Sequence, residues 1–395
     1  MKVHRYFVGA LGVISLASVT VFGATSSAHT AKAAAATCKT SIAVEAPFAT
    51  GPATQLGAEQ LHFAQLAVQN DNKLLGTKVT LGQNDTGLNP SLAVTRTNAI
   101  ISSGAVAAVG PAGSQEVAAV GPLYKAAGMA FISGSATNSA LTTSGANPTF
   151  FRVVAPDAIQ GPQDANYIVK VLKPKKVLII DDEEAYSTGL VSVMTPILQA
   201  AGITVNHQSY NGNDTGATLS SDMSSLVSAQ LTSDTSVVIL PFQSAGNAQV
   251  FGQTMQQQGK SATLFGTDGT DSPGQFTIAG TYVSNFGPDI SASKSPLDKA
   301  IVKGVAKFGP YGAFGVPTYE ATDVLMRAIS SVCKAGKKPS RSNVLAAVRK
   351  TKISAANNPL GVPIAFKANG DLKGGKFYLF KINSKGTYVP ISAKA

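Results

Sequence analysis

Residues 41–48 form a short apolar run of the length expected for a buried strand, and Leu61, Ala64 and Val68 then recur on one face of a helix over 54–72. The same alternation continues down the chain. A strand is expected over 78–85, then a helix through Ser103 with Asn89 as its N-cap and Pro90 in its first turn. A strand at 105–110, a helix at 115–127 and a strand at 129–135 follow. After Phe150-Phe151-Arg152 the rhythm restarts, with helices near 160–172, 187–201, 218–229 and 246–258. Between and after these helices lie strands at 176–181, 203–209, 236–240 and 262–266. Helices at 296–308, 319–334 and 341–350 precede a β-rich tail with an Asn369-Gly370 turn.

Repeated βα units imply parallel sheets with right-handed crossovers and helices on both faces. The fold class expected is therefore α/β, with two doubly wound, Rossmann-like lobes. In such sheets ligands bind beyond the carboxyl ends of the strands. Two of those positions carry small hydroxyl residues near a helix start: Pro111-Ala112-Gly113-Ser114-Gln115 and Gly134-Ser135-Ala136-Thr137-Asn138. Free backbone N–H groups and hydroxyls there suit a carboxylate or phosphate, although each loop alone equally suits helix capping. Gly266-Thr267-Asp268-Gly269 places a carboxylate at another strand end, suited to an ammonium or to a solvated turn.

Composition changes the picture in one respect. Hydrophobic residues make up 44% of the 395 positions and exclude wholesale disorder, whereas charged residues make up only 13%. The formal charge of +11 leaves nucleic acid, an anionic surface and plain solubility open. The N-terminus narrows them. Lys2 and Arg5 precede an apolar run over 6–23, and the small-residue sites Ser26-Ser27-Ala28 and Ala31-Lys32-Ala33 follow. This order is that of a secretory signal peptide over 1–33, with a membrane anchor as the alternative. Its removal would leave +8, set against a location where nucleic acid is not a partner. The residues before Cys38, Ala35-Ala36-Thr37, do not make a convincing lipidation site.

Enzyme signatures are absent: there is no G-x-S-x-G elbow, G-x-G-x-x-G turn or Walker lysine loop. The histidines His4, His29, His62 and His207 are scattered, and with two cysteines they form no zinc pattern. Asp181-Asp182-Glu183-Glu184 ends a strand, where it suits a solvated helix start better than magnesium. No cofactor, metal or catalytic residue is expected.

The chain resembles the branched-chain amino-acid (Leu/Ile/Val) type of periplasmic solute-binding protein, the type I binding proteins of ABC importers. The matching segments run in order over the whole mature chain: 43–52, 109–114, 132–138, Phe151-Arg152, Asp157, Gln160-Gly161, 180–189, 265–269, 278–280, Tyr319 opening a helix, and 369–373. The resemblance implies that Ser114, Ser135 and Thr137 bind a ligand α-carboxylate, with Thr137 and the backbone at Ser135 also serving the ammonium. It implies that Asp268 balances the ammonium from the other lobe and that Tyr186 closes over the ligand. Departures fall on the side-chain pocket: Leu56 and Ser244 stand where the family carries aromatics, and Asp268 where glutamate is frequent. The ligand class is thus an amino acid, branched-chain or related, with a small amide, urea-like or carboxylic compound as the alternative, or a sensor role on the same fold.

Neither position of the family's usual disulfide holds cysteine. The helix from Tyr319 should run antiparallel to the strands, bringing Cys333 to the start of the first strand and to Cys38, so a Cys38–Cys333 disulfide is expected in an oxidising compartment. Two free buried thiols are the alternative. Lobe 1 is expected to comprise 38–154 plus 287–363 and lobe 2 155–286 plus 364–395, joined by crossings near Val154, Phe286 and Pro363. The expected protein is a monomeric, secreted or periplasmic binding protein whose partners are a membrane permease and its ATPase. The excess positive charge is expected on its outer surface, near anionic wall or membrane polymers.

Overall fold

The computed structural model describes residues 38–51, 53–143 and 145–391, so the expected leader lies outside the described residues. The first sheet is built from β1 (Lys39–Ala46), β2 (Lys78–Asp85), β3 (Ala107–Val109), β4 (Ala130–Ser133) and β5 (Phe150–Arg152). Its order is β2-β1-β3-β4-β5 and every pairing is parallel. Helices α1 (Thr54–Leu75), α2 (Pro90–Ser102) and α3 (Ser114–Ala126) make the crossovers, and a short α4 (Ala140–Thr143) precedes β5.

The second sheet has seven strands. After α5 (Asp157–Tyr167), which runs on into a π-helical turn, come β6 (Lys176–Asp181), α6 (Ala185–Ala200), β7 (Thr204–Ser209) and α7 (Gly216–Gln230). Then follow β8 (Val237–Leu240), α8 (Ala245–Gln257), β9 (Thr263–Gly266) and β10 (Tyr282–Asn285). The chain returns to the first sheet as α9 (Pro296–Val305), α10 (Gly315–Lys334) and α11 (Arg341–Val348), and finishes with β11 (Tyr378–Ile382) and β12 (Tyr388–Pro390). The order is β12-β11-β10-β9-β8-β6-β7, antiparallel only where β11 and β12 join.

Strand periodicity sorts the core. On β1, Ile42 and Val44 face the layer of α1 and α10, where they meet Phe63, Val324 and Ile329, while Ala43 faces the opposite layer with Val117, Tyr124 and Phe131. On β6, Val177 and Ile179 face one layer, and Leu178 and Ile180 the other. Both faces of each sheet are covered, so the central strands read as near-continuous apolar runs, whereas the edge strands β2 and β7 are largely polar.

Most element bounds shift by one to three residues from expectation, and one helix start shifts by a full turn. Helix α10 begins at Gly315, one turn before Tyr319, because Glu59 of α1 caps it: its carboxylate accepts the N–H of Gly312 (2.8 Å), Phe314 (3.0 Å) and Gly315. Pro317 falls in the first turn, where its missing N–H costs nothing. Ile364, Phe366 and Leu372 pack in the core beneath the first sheet, whereas Phe377 joins Val154, Phe286 and Phe314 in a separate apolar cluster. Cys38 and Cys333 are joined by a disulfide, with Cα atoms 5.7 Å apart. Among the described residues, no helix is long and apolar enough to cross a membrane.

Candidate functional site

A cavity of about 30 Å³ lies at the carboxyl ends of both sheets. Leu56, Leu88, Ala112, Gly113, Ser114 and Ser135 wall it on one side, and Tyr186, Gln243, Asp268 and Gly269 on the other, with Phe314 between. A smaller void of about 10 Å³ shares Leu56, Gln243, Gly269 and Phe314 with it and reaches Ser244, Glu59 and Asp271.

The first wall is a pair of loops held together by their own hydroxyls and by side chains outside the cavity lining. The Gly110-Pro111 peptide is cis, and Gly110 has φ 97°, where a Cβ would meet the Glu45 carbonyl oxygen at 2.1 Å. The Ser133 hydroxyl donates to the Pro111 carbonyl (2.7 Å) and accepts the N–H of Ser135 (3.2 Å) and of Ala136 (3.0 Å), which ties the two loops together. The Ser135 hydroxyl donates to the Ala112 carbonyl (2.8 Å) and accepts from the Gln60 amide (2.9 Å). Ser114 Oγ accepts the Asn138 N–H (3.2 Å), leaving its own proton available. Beneath them Arg152 is fully buried. Its guanidinium donates to the carbonyls of Ala136 (3.2 Å) and Asn138 (2.8 Å) and pairs with Asp371 at 2.7 Å.

The opposite wall is organised around Tyr186, at the start of α6. Its phenol donates to Asp268 Oδ1 (2.7 Å) and accepts the Gly269 N–H (3.2 Å), which leaves the Thr267 hydroxyl as the donor in their 2.7 Å contact. Gly269 must be glycine, since a Cβ would meet the Phe242 carbonyl oxygen at 2.2 Å. Burial pushes the Asp268 carboxyl up to about 6, partly offset by the Tyr186 hydrogen bond. The Thr137 hydroxyl and the Asp157 carboxyl are both buried, and the hydroxyl's contact offsets part of the rise, to about 7, that burial gives the carboxyl.

The two walls meet directly. Gln115 Nε2 donates to Gln243 Oε1 (3.0 Å), and Gln243 Nε2 returns a bond to Gln115 Oε1 (3.2 Å). Asp182 fixes Gln243 by accepting its backbone N–H (2.7 Å), so the acidic run after β6 holds this turn. Asn138 Nδ2 donates to the Ala185 carbonyl, a second bond across the cleft. Among the described residues, no three His, Cys, Asp or Glu side chains are grouped to hold a metal ion.

Of the residues singled out from sequence, Leu56, Ser114, Ser135, Tyr186 and Asp268 line the main cavity and Ser244 lines the smaller one. Thr137 is fully buried and lines neither cavity. Sequence reasoning missed Gln115 and Gln243, 128 residues apart, and the supports Gln60 and Ser133. No local signal marks a glutamine as a bridging group. Asp157 was visible only as part of a motif.

Two α/β lobes sharing a small cavity, mostly apolar with a few polar groups set into its walls, define a two-lobed binding fold. The chain belongs to the periplasmic binding protein family, whose profile matches residues 39–387. It is 27% identical over 351 residues to the Leu/Ile/Val-binding protein of Citrobacter freundii, covering 86% of this chain and 89% of that protein. It is 30% identical over 343 residues to a Leu/Ile/Val-binding protein of Rhizobium johnstonii, covering 84% and 89%. Among solved structures, the branched-chain amino acid transporter substrate-binding protein LivJ of Streptococcus pneumoniae, in complex with isoleucine, superposes with a TM-score of 0.76 at 21% identity, covering 89% of this chain and 100% of that one. The leucine-binding protein LivK of Thermotoga maritima gives 0.76 at 22% identity, covering 89% and 98%.

Proposed function

We propose that the protein is an extracytoplasmic solute-binding protein that captures an amino acid, branched-chain or related, between two closing lobes and delivers it to an ABC importer. One observation carries the reading: hydroxyls on one wall face a single buried carboxylate, Asp268, on the other. A zwitterion answers both, since its carboxylate meets Ser114 and the Thr137 loop while its ammonium meets Asp268. Charge-assisted bonds of this kind contribute about 1.5–3 kcal/mol each. The Leu/Ile/Val binding named for the relatives supports the class.

Ligand drives closure because it touches both walls only when they meet. The lobes divide after Val154, near Phe286, and between Leu372 and Phe377, where the apolar cluster of Val154, Phe286, Phe314 and Phe377 joins them. The permease and ATPase are the partners that receive the ligand-loaded, monomeric protein. Calorimetry across amino acids, amides and aromatic acids tests the reading. Binding of a free α-amino acid is expected; binding only of an uncharged or purely anionic compound would overturn it.

A further inference from the structure

Nine of the 32 lysines and arginines, and none of the 21 acidic residues, fall between Val324 and Gly370. Elsewhere 23 basic residues nearly balance the acids, so the net charge of the whole chain is concentrated in this segment. Eight of the nine lie from Arg327 to Lys352, on the C-terminal half of α10, on α11 and on the adjoining turns.

The arginines of this region have structural partners. Arg327 pairs with Asp323 (2.6 Å), Arg341 donates to the Ala105 carbonyl (2.9 Å), and Arg349 bonds the Pro148 carbonyl and lies over Phe151. The lysines do not. Lys334, Lys337, Lys338, Lys350 and Lys352 are all exposed, and none makes an ion pair among the described residues. Between α10 and α11 runs a groove of about 440 Å³ whose walls carry Arg327, Lys337, Lys350 and Lys352 and no carboxylate.

We propose that this groove and its lysine rim dock the protein on an anionic phospholipid surface, with phosphate headgroups entering between α10 and α11. Several observations favour a lipid surface over one small anion. Five unpaired ammonium groups spread over a rim match many phosphates, whereas a site for a single anion would gather buried donors. Lysine is the residue type suited to such diffuse attraction, the arginines here being occupied. The Cys38–Cys333 disulfide fastens the beginning of β1 to the helix that forms the groove wall, so this face is held rigidly to the first sheet. Docking there also leaves ligand exchange free. Phe314 at the cavity and Ser331 at the groove are 17 residues apart along one helix, about 25 Å at 1.5 Å per residue.

The test is co-sedimentation of the protein with phosphatidylcholine vesicles, with and without phosphatidylglycerol, at low and high salt. Binding is expected only to the anionic vesicles, weakening as salt rises. Each lysine near an anionic surface strengthens binding about fivefold, so K337E/K350E/K352E should weaken it at least about a hundredfold. The thermal midpoint and the amino-acid-induced shift should stay unchanged. Should that variant fail to fold, K334E/K338E on the rim alone should lose at least about tenfold. Absence of anionic-vesicle binding, or equal binding by both variants, would overturn the proposal. So would stabilisation by inorganic phosphate without vesicle binding, which would make the groove a site for a soluble anion.

Discussion

Arg152 and Asp371 lie 219 residues apart in sequence, yet their side chains form a buried ion pair that supports the loop after β4, whose Ser135 lines the cavity. The guanidinium also holds the carbonyls of Ala136 and Asn138, on either side of Thr137. Removing one member strands the other charge in the core, which costs about 3–5 kcal/mol. D371N should lower stability by that order in denaturant unfolding, and it should weaken amino-acid binding by disordering the Thr137 loop. Full stability in D371N would exclude the pair as the support.

Asp268 is expected to supply the charge partner of the ammonium. D268A should weaken amino-acid affinity by at least about tenfold, following the loss of one charge-assisted bond. Unchanged affinity in calorimetry would remove Asp268 from the site. Because burial sets its pKa at about 6, affinity should fall as pH drops below 6, where the carboxyl is neutral.

The Gln115–Gln243 pair bonds the two walls to each other beside the cavity. Q243A should therefore accelerate ligand release while leaving ligand selectivity intact. Losing two neutral hydrogen bonds, each about 1 kcal/mol, predicts an off-rate increase on the order of tenfold in stopped-flow measurements. A selectivity change without a rate change would instead place Gln243 on the ligand.

Stability should decline toward alkaline pH. Burial raises the Glu45 and Asp157 carboxyls to about 7 each, against about 4 for exposed carboxyls. The folded state thus retains protons that the unfolded chain releases, so the stability these groups contribute is complete below about pH 4 and is lost as pH rises through 7. The melting midpoint should drop by several degrees, on the order of 5 °C, between pH 5 and pH 8. E45Q should flatten that slope. Its side chain accepts from Thr97 (2.6 Å) and Tyr124 (2.6 Å), and a neutral amide removes the titration.

Replacing both Cys38 and Cys333 with serine should cost about 2–5 kcal/mol, given the 295-residue separation that the bond spans. Two alkylatable thiols in the non-reduced native protein would contradict the bond outright.

The fold was legible because the central strands, β1, β3, β4, β6 and β8 among them, are buried on both faces and so stand out as apolar runs between helical periodicities. Ser114, Ser135 and Asp268 were legible for a related reason: strand ends are where parallel sheets present backbone dipoles. The short β5 was not separable from its surroundings, since Phe150, Phe151 and Arg152 carry no period of their own. The support network was less legible still. Glu59 capping a helix more than 250 residues away and Gln115 meeting Gln243 are products of tertiary approach, for which sequence offers no spacing rule.

The Cys38–Cys333 bond also changes the molecule's topology. It closes the polypeptide into a ring that contains all of the first sheet and strands β6 to β10 of the second, leaving only α11 and the two final strands on an open tail. A single proteolytic nick anywhere within that ring would open it without releasing a fragment. The severed ends would remain parts of one covalent molecule until the disulfide was reduced.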